Sequence, residues 1–309
     1  MRIIFFGNPD FCQKPLQALN DSENEIISVV TSTDRKAGRG LKLVPSFVKT
    51  MSKDLNIPTI EVDDLKSIDF RNTLVKLKAD LFVVVAFKFL PESIIGIPKF
   101  GSINVHPSLL PKYRGSSPIQ YALLNGDVKT GVSIINLNTK IDAGNIIGLK
   151  EYTISKNANY EQLHNDLSFL GSKLLIEVIN NFKTNTIKSI NQDESKKTLA
   201  PKIKKIDLKI DWNEDVFSIH NKIRAFDPHP GAYSFINGKR IKLFQSRIIK
   251  VNLIENKKAG QIIIDQNRLC IYVCDNSCIE VCKVQLEGKT KNKSSDFIKS
   301  LSNNDYILE

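Results

Sequence analysis

The feature that most constrains the fold is a set of short, uninterrupted apolar runs in the first half of the chain: residues 2–6 (RIIFF), 26–31 (IISVVT) and 81–86 (LFVVVA). A run with no polar alternate has no face to offer water, so it suits a central parallel strand covered on both sides. Amphipathic, helix-like stretches lie between the runs, near 11–20, 46–55 and 64–77. Pro45-Ser46 fits a helix start with the serine as cap. Further strands are expected at 101–106, 130–137 and 145–154, followed by a helix at 159–182. The alternation predicts an α/β class, with a doubly wound, Rossmann-like sheet whose ligands gather at the carboxyl ends of its strands.

From residue 184 the character changes. The stretch TNTIKSINQDESKKTLAPKIKK, residues 184–205, is polar, lysine-rich and without aromatics, and it reads as a linker. One amphipathic helix is expected at 214–225, then short β runs at 232–236, 240–249, 260–265, 269–274 and 278–286. Turn residues separate the runs: Asn237-Gly238, Ala259-Gly260 and Asp275-Asn276-Ser277. Asn-Gly between strand-like runs is a strong hairpin signal. The expected organisation is therefore an α/β domain over 1–183, a linker over 184–205 and a small OB-like β-barrel over 206–309.

Charge follows the same division. The formal net charge of +11 splits into +3 over residues 1–195 and +8 over the shorter remainder. Such a field attracts polyanions, nucleic acid first among them, although a lysine-rich solvated surface has the same composition. No run approaches the ~18–20 apolar residues of a membrane span. The N-terminal MRIIFFGNPDF reads as a first strand and turn, not a leader. Five cysteines, an odd number, fit a reduced cytoplasmic protein. Both domains are long enough to close their own cores, so a monomer is expected.

The densest polar cluster is GSINVHPSLLPKYRGSSPIQ, residues 101–120. Asn104 and His106 are two apart on an expected strand, so their side chains share a face, and Pro107 ends the strand. An amide that can donate to an oxyanion, beside an imidazole that can donate or move a proton, suits work on a carbonyl. The bare pattern equally describes an amide satisfying backbone groups and a hydrogen-bonded core histidine. Asp142, in the tight loop KIDAGN (140–145), could orient His106 or simply serve its own turn. The first turn, GNPDF, lacks the G-x-G-x-x-G of a dinucleotide site, and no P-loop is present. Cys270, Cys274, Cys278 and Cys282 recur every four residues, a spacing that matches no familiar zinc site and reads as strand packing.

The run NVHPSLLPKYRGSSPIQYALLNGD, then TGVSII, then IDAGNII resembles the signature of the 10-formyltetrahydrofolate-dependent formyltransferases. The opening FFGNPDF, the loop TSTDRKAGRGLKLVPSFVK (31–49) and the run LAPKIKKIDLKIDWNEDVFSIHNKIRAFDPHPGA resemble those of family members that act on a charged tRNA. The resemblance implies catalytic roles for Asn104, His106 and Asp142. It implies a folate site lined by Phe87, Phe89 and Leu90 and by Ser108, Leu109, Leu110 and Pro111. It implies tRNA contacts from Arg39, helped by Arg35, Lys36 and Lys42. The implied donor is 10-formyltetrahydrofolate, the implied acceptor is initiator methionyl-tRNA, and no metal is called for. The alternatives are a formyltransferase acting on a nucleotide amino-sugar and a non-catalytic RNA-binding protein on the same scaffold.

Overall fold

A computed structural model describes residues 1–37, 42–250, 257–274, 277–301 and 306–309. The chain divides into two compact units. The first comprises Met1–Pro118, Lys129–Thr153 and His164–Pro201; the second comprises Ile119–Val128, Ile154–Leu163 and Lys202–Glu309. The segment expected as a linker is thus divided, its part through Pro201 belonging to the first unit.

The strands of the first unit are β1 (Arg2–Gly7), β2 (Glu25–Thr31), β3 (Arg35–Ala37), β4 (Lys42–Val44), β5 (Thr59–Glu61), β6 (Leu81–Val85), β7 (Ser102–His106), β8 (Lys129–Asn136) and β9 (Ile146–Thr153). Seven form one sheet in the order β5-β2-β1-β6-β7-β8-β9, and β3 pairs with β4 as a separate ribbon. The first five in that order are parallel; β8 runs against β7 and β9 against β8. Ile3, Ile4, Phe5 and Phe6 are wholly buried, as an apolar run without alternation requires. Helices α1 (Gln13–Asn20), α2 (Phe47–Asp54), α3 (Ile68–Leu77) and α4 (Glu92–Ile95) connect the parallel strands. Ser46 caps α2 by accepting from the Lys49 N–H at 3.0 Å. The strand order turns from β2 on one side of β1 to β6 on the other, which makes a topological switch point. Two helices follow along the chain: α5 (Pro118–Leu124), counted with the second unit from Ile119 on, and α6 (Tyr160–Lys183), counted with the first unit from His164 on.

The second unit holds α7 (Val216–Ala225), the strands β10 (Ala232–Ile236), β11 (Lys239–Lys250), β12 (Ile262–Asp265), β13 (Arg268–Cys274), β14 (Ser277–Leu286) and β15 (Asn292–Lys293), and α8 (Ser294–Ile298). The antiparallel order is β10-β11-β14-β13-β12, with β15 also on β14. Ile236 pairs with Lys239, and Asn237 and Gly238 both have φ positive, the backbone of a two-residue hairpin turn. The last residues of the chain join the two edges of this sheet. Near β12, the Ile262 N–H donates to Tyr306 O and the Leu308 N–H to Gly260 O, each at 2.8 Å. On β10, Phe235 and Glu309 exchange both backbone bonds at 3.0 Å. Trp212 Nε1 donates to Ser234 Oγ at 2.9 Å, and that hydroxyl donates to Glu309 O at 2.6 Å. The enclosed core includes Trp212, Ile219, Ile223, Leu243, Ile271, Ile279 and Leu308.

Cys270 and Cys278 are buried, and burial pushes their thiols up to about 11 and about 12. Among the described residues no group of three or more His, Cys, Asp or Glu side chains could hold a metal ion, and no helix is long and apolar enough to cross a membrane.

Candidate active site

Asn104 and His106 stand on β7, the last of the parallel strands, with Asn104 opposite Val84 of β6 and Ile135 of β8. Period two puts both side chains on one face. The Asn136 N–H donates to Asn145 O at 3.0 Å, which closes the loop between β8 and β9. At the tip Asp142 has φ of 48°, a left-handed conformation that aspartate tolerates better than most residues.

The three side chains converge. Asn104 Nδ2 donates to Asp142 Oδ1 at 3.4 Å. His106 Nδ1 lies 3.6 Å from Asp142 Oδ2, and its Nε2 is 3.0 Å from Tyr113 O. Both imidazole nitrogens therefore face oxygen acceptors. His106 is buried, and the Asp142 side chain is 13% exposed. Asp142 Oδ2 also accepts from the Gly115 N–H at 2.9 Å.

The segment after His106 is held from two sides. Ser133 Oγ of β8 donates to Ser108 O at 2.7 Å and accepts from the Leu110 N–H at 3.0 Å. Ser108 Oγ donates to Lys112 O at 2.6 Å. Ser108 and Leu110 are buried, Leu110 in a cluster with Ile135 and Ile146, whereas Leu109 and Pro111 are half-buried. At the end of β6, Ala86 has φ of 46°, Phe87 meets the Phe6 ring edge-on at 5.7 Å, Phe89 is exposed and Leu90 is in the core. Of the residues expected to line a folate site, Leu90, Ser108 and Leu110 are buried, whereas Phe87, Phe89, Leu109 and Pro111 have accessible surface. Arg35, Lys36 and Lys42 lie exposed on the β3–β4 ribbon, and Arg39 lies outside the described residues.

Several site residues were invisible to sequence reasoning. Arg114 is almost wholly buried; its Nη2 donates to Gln192 Oε1 at 2.7 Å and to Glu194 Oε1 at 2.6 Å. That guanidinium holds the exposed Glu194 carboxyl below its ordinary range. Gln192 Nε2 donates to Asp142 O at 2.7 Å and to Gly144 O at 2.8 Å. Thr198 Oγ1 accepts from the Tyr113 N–H at 2.8 Å. Gln192, Glu194 and Thr198 all come from the segment read as a linker, and only a fold that returns 190–200 to the site reveals them.

Residues 1–179 match the family described as formyl transferase, and residues 202–302 match the formyl transferase C-terminal domain. The chain belongs to the formyl transferase family. It is 40% identical over 301 residues to a methionyl-tRNA formyltransferase of Staphylococcus epidermidis, covering 96% of this chain and 95% of that one. It is 37% identical over 299 residues to a methionyl-tRNA formyltransferase of Nitrosomonas eutropha, covering 96% and 94%. In fold it is similar to an N-formyltransferase from Helicobacter canadensis solved with folinic acid and dTDP-3-aminofucose. There the TM-score is 0.68 at 21% identity, over 90% of this chain and 98% of that one. It is also similar to a methionyl-tRNA formyltransferase from Clostridium thermocellum, with a TM-score of 0.54 at 17% identity over 83% and 95%. An amide, an imidazole and a carboxylate gathered at a strand end can together stabilise an oxyanion and move a proton.

Proposed function

We propose that this chain transfers the formyl group of 10-formyltetrahydrofolate to the α-amine of methionine on initiator methionyl-tRNA, as a monomeric cytoplasmic enzyme of translation initiation. The observation that carries the reading is the convergence of Asn104 and His106 on Asp142, at 3.4 and 3.6 Å. Near-full-length identity to methionyl-tRNA formyltransferases supports the acceptor. The basic second half of the sequence fits a polyanion.

The amine nitrogen attacks the formyl carbon, and the carbonyl pair moves onto oxygen. An amide carries two hydrogens; Asn104 gives one to Asp142 and has the other for the developing oxyanion. His106, fixed between Tyr113 O and Asp142, lends its positive edge to the same charge. The ammonium formed by attack gives its proton to the His106–Asp142 pair. Collapse of the intermediate breaks the bond to the folate nitrogen, which takes that proton and departs as tetrahydrofolate. In the folate site Phe87, Phe89, Leu109 and Pro111 offer apolar contact; Arg39, with Arg35, Lys36 and Lys42, engages the tRNA.

Purified protein, 10-formyltetrahydrofolate and either charged initiator tRNA or an amino-sugar nucleotide test the reading. Formylmethionyl-tRNA is the expected product, with turnover unchanged by a chelator. Asn104→Ala and His106→Ala are expected to lower turnover by at least ~10²-fold while the fold survives. Formylation of the sugar alone, or near-normal turnover in both variants, would overturn it.

A further inference from the structure

We propose that Gln192 is a positioning residue for the formyl transfer, fixing the Asp142 loop from a stretch of chain that sequence reasoning assigns to a linker. The proposal rests on the reading of Asp142 given above. The Gln192 amide is bonded at both ends. Its nitrogen donates to Asp142 O and Gly144 O, at 2.7 and 2.8 Å, so both of its hydrogens hold the loop that carries the carboxylate. Its oxygen accepts from Arg114 Nε and Nη2, at 3.0 and 2.7 Å. Arg114 in turn precedes Gly115, whose N–H donates to Asp142 Oδ2. Backbone and side chain of Asp142 are therefore gripped through one continuous network: Gln192 on the carbonyl, Gly115 on the carboxylate, and the Arg114 guanidinium joining the two.

The segment that carries Gln192 is itself anchored. Ile190 exchanges backbone bonds with Ile146, at 2.8 and 2.9 Å, just beyond the loop. The Arg114 N–H donates to Thr198 O at 3.0 Å, and the Ala200 N–H donates to Arg114 O at 2.7 Å. A side chain at position 115 would come 2.5 Å from Ala200 O, so the segment lies directly on the Gly115 backbone. A primary amide meets the whole requirement. Two donors must reach two carbonyls while an acceptor faces a guanidinium, and glutamate supplies the acceptor without the donors. A loop free to shift by about 1 Å costs roughly 10²-fold in rate, because the reacting groups lose alignment.

The test uses the full chain with Q192E and Q192L. Both are expected to lower kcat by about 10–10²-fold while the dissociation constant for the folate stays within twofold. Q192E keeps the Arg114 contacts, so a loss it shares with Q192L comes from the missing donors to Asp142 O and Gly144 O. In a D142N background, Q192L is expected to add less than a threefold loss, because its effect runs through Asp142. Hydrogen exchange supplies a readout independent of turnover. The Gly115 amide, protected by Asp142, and the Asn136 amide, protected by Asn145 O, should both exchange faster in each variant. Wild-type kcat with unchanged exchange overturns the proposal, as does a full multiplicative loss in the D142N background. Faster exchange in the variants of a wild-type protein that forms no formylmethionyl-tRNA would keep the positioning role and overturn the reaction assigned above.

Discussion

Gly144→Ala adds one methyl group next to Asp142, and the structure says where it must go. A Cβ at Gly144 would overlap the carbonyl oxygen of Asn136, a backbone atom at the end of β8 that cannot swing aside. Real Cβ atoms essentially never approach a heavy atom within 3.0 Å, so the loop has to retreat by more than about 1 Å. Asp142 already contacts Asn104 at 3.4 Å and His106 at 3.6 Å, so a retreat of that size ends both contacts. Once the pair has taken up the amine proton, lengthening the carboxylate–imidazolium contact by 1 Å weakens it by about 1 kcal/mol at an effective dielectric constant of ~20. Loss of the charge-assisted bond from the Gly115 N–H removes about 2 kcal/mol more. If the transition state feels both, the barrier rises by about 3 kcal/mol, a factor of about 10² in rate. The assay is single-turnover formylation of charged tRNA at saturating folate, beside a melting curve to confirm the fold. A folded Ala variant within threefold of wild type would refute the placement of Asp142 in the reaction.

His220 is buried against Ser246 Oγ at 2.9 Å, and burial, with Arg224 adding to it, pushes its pKa down to about 4. The unfolded chain protonates this histidine near its ordinary ~6.5, so stability present above that value is lost as pH falls toward 4. By pH 5.5 the loss is about 1.4 kcal/mol, or ~3–6 °C of melting temperature. His220→Gln should flatten the decline between pH 7.5 and 5.5, and equal slopes in both proteins would count against it. Removing residues 306–309 takes away the four backbone bonds that join β10 to β12, at roughly 1 kcal/mol each, and the buried Leu308, worth ~2 kcal/mol. A large fall in the urea midpoint of the second unit is expected; an unchanged midpoint means the sheet stands without its closure. Raising salt from about 50 to 200 mM should worsen the tRNA Michaelis constant at least ~10-fold and leave folate binding within twofold. Equal sensitivity of the two would remove the case for polyanion binding.

Much of the first unit was legible because its code is local. Continuous apolar runs have one good solution, a strand buried on both faces, and the strand bounds at 2–6 and 81–86 fall within a residue or two of β1 and β6. Asn104 and His106 could be placed on one face because strand periodicity fixes it. The signals that failed were local signals for something else. Residues 35–37 and 42–44 carry the charge of a solvated loop yet pair as a ribbon. The α5 helix is hidden behind Gly115, Ser116, Ser117 and Pro118, which read as loop punctuation. Gln192 was the hardest to see, because its environment is long-range: Arg114 is 78 residues away and Asp142 is 50. A polar, lysine-rich segment looks unstructured when its partners are donors and acceptors elsewhere rather than an apolar face of its own.

Shape alone will not replace Asp142. Its φ of 48° costs about 1–2 kcal/mol for a residue with a Cβ. Every oxygen it carries has a donor: Oδ1 takes Asn104 Nδ2, Oδ2 takes the Gly115 N–H, and the carbonyl takes Gln192. Asp142→Asn keeps the volume and the backbone contact but exchanges one oxygen for a donor. Placed toward Gly115, the new amide sets donor against donor; placed toward Asn104, it does the same there. Either arrangement sets two donors together in a nearly buried place and strips His106 of a negative neighbour, which together cost about 3 kcal/mol, or about 10² in kcat. The fold should persist, because the Gln192 bond to the backbone is untouched. Turnover in D142N within a few-fold of wild type would mean that the loop positions Asn104 and His106 by its shape, and that the carboxylate charge takes no part.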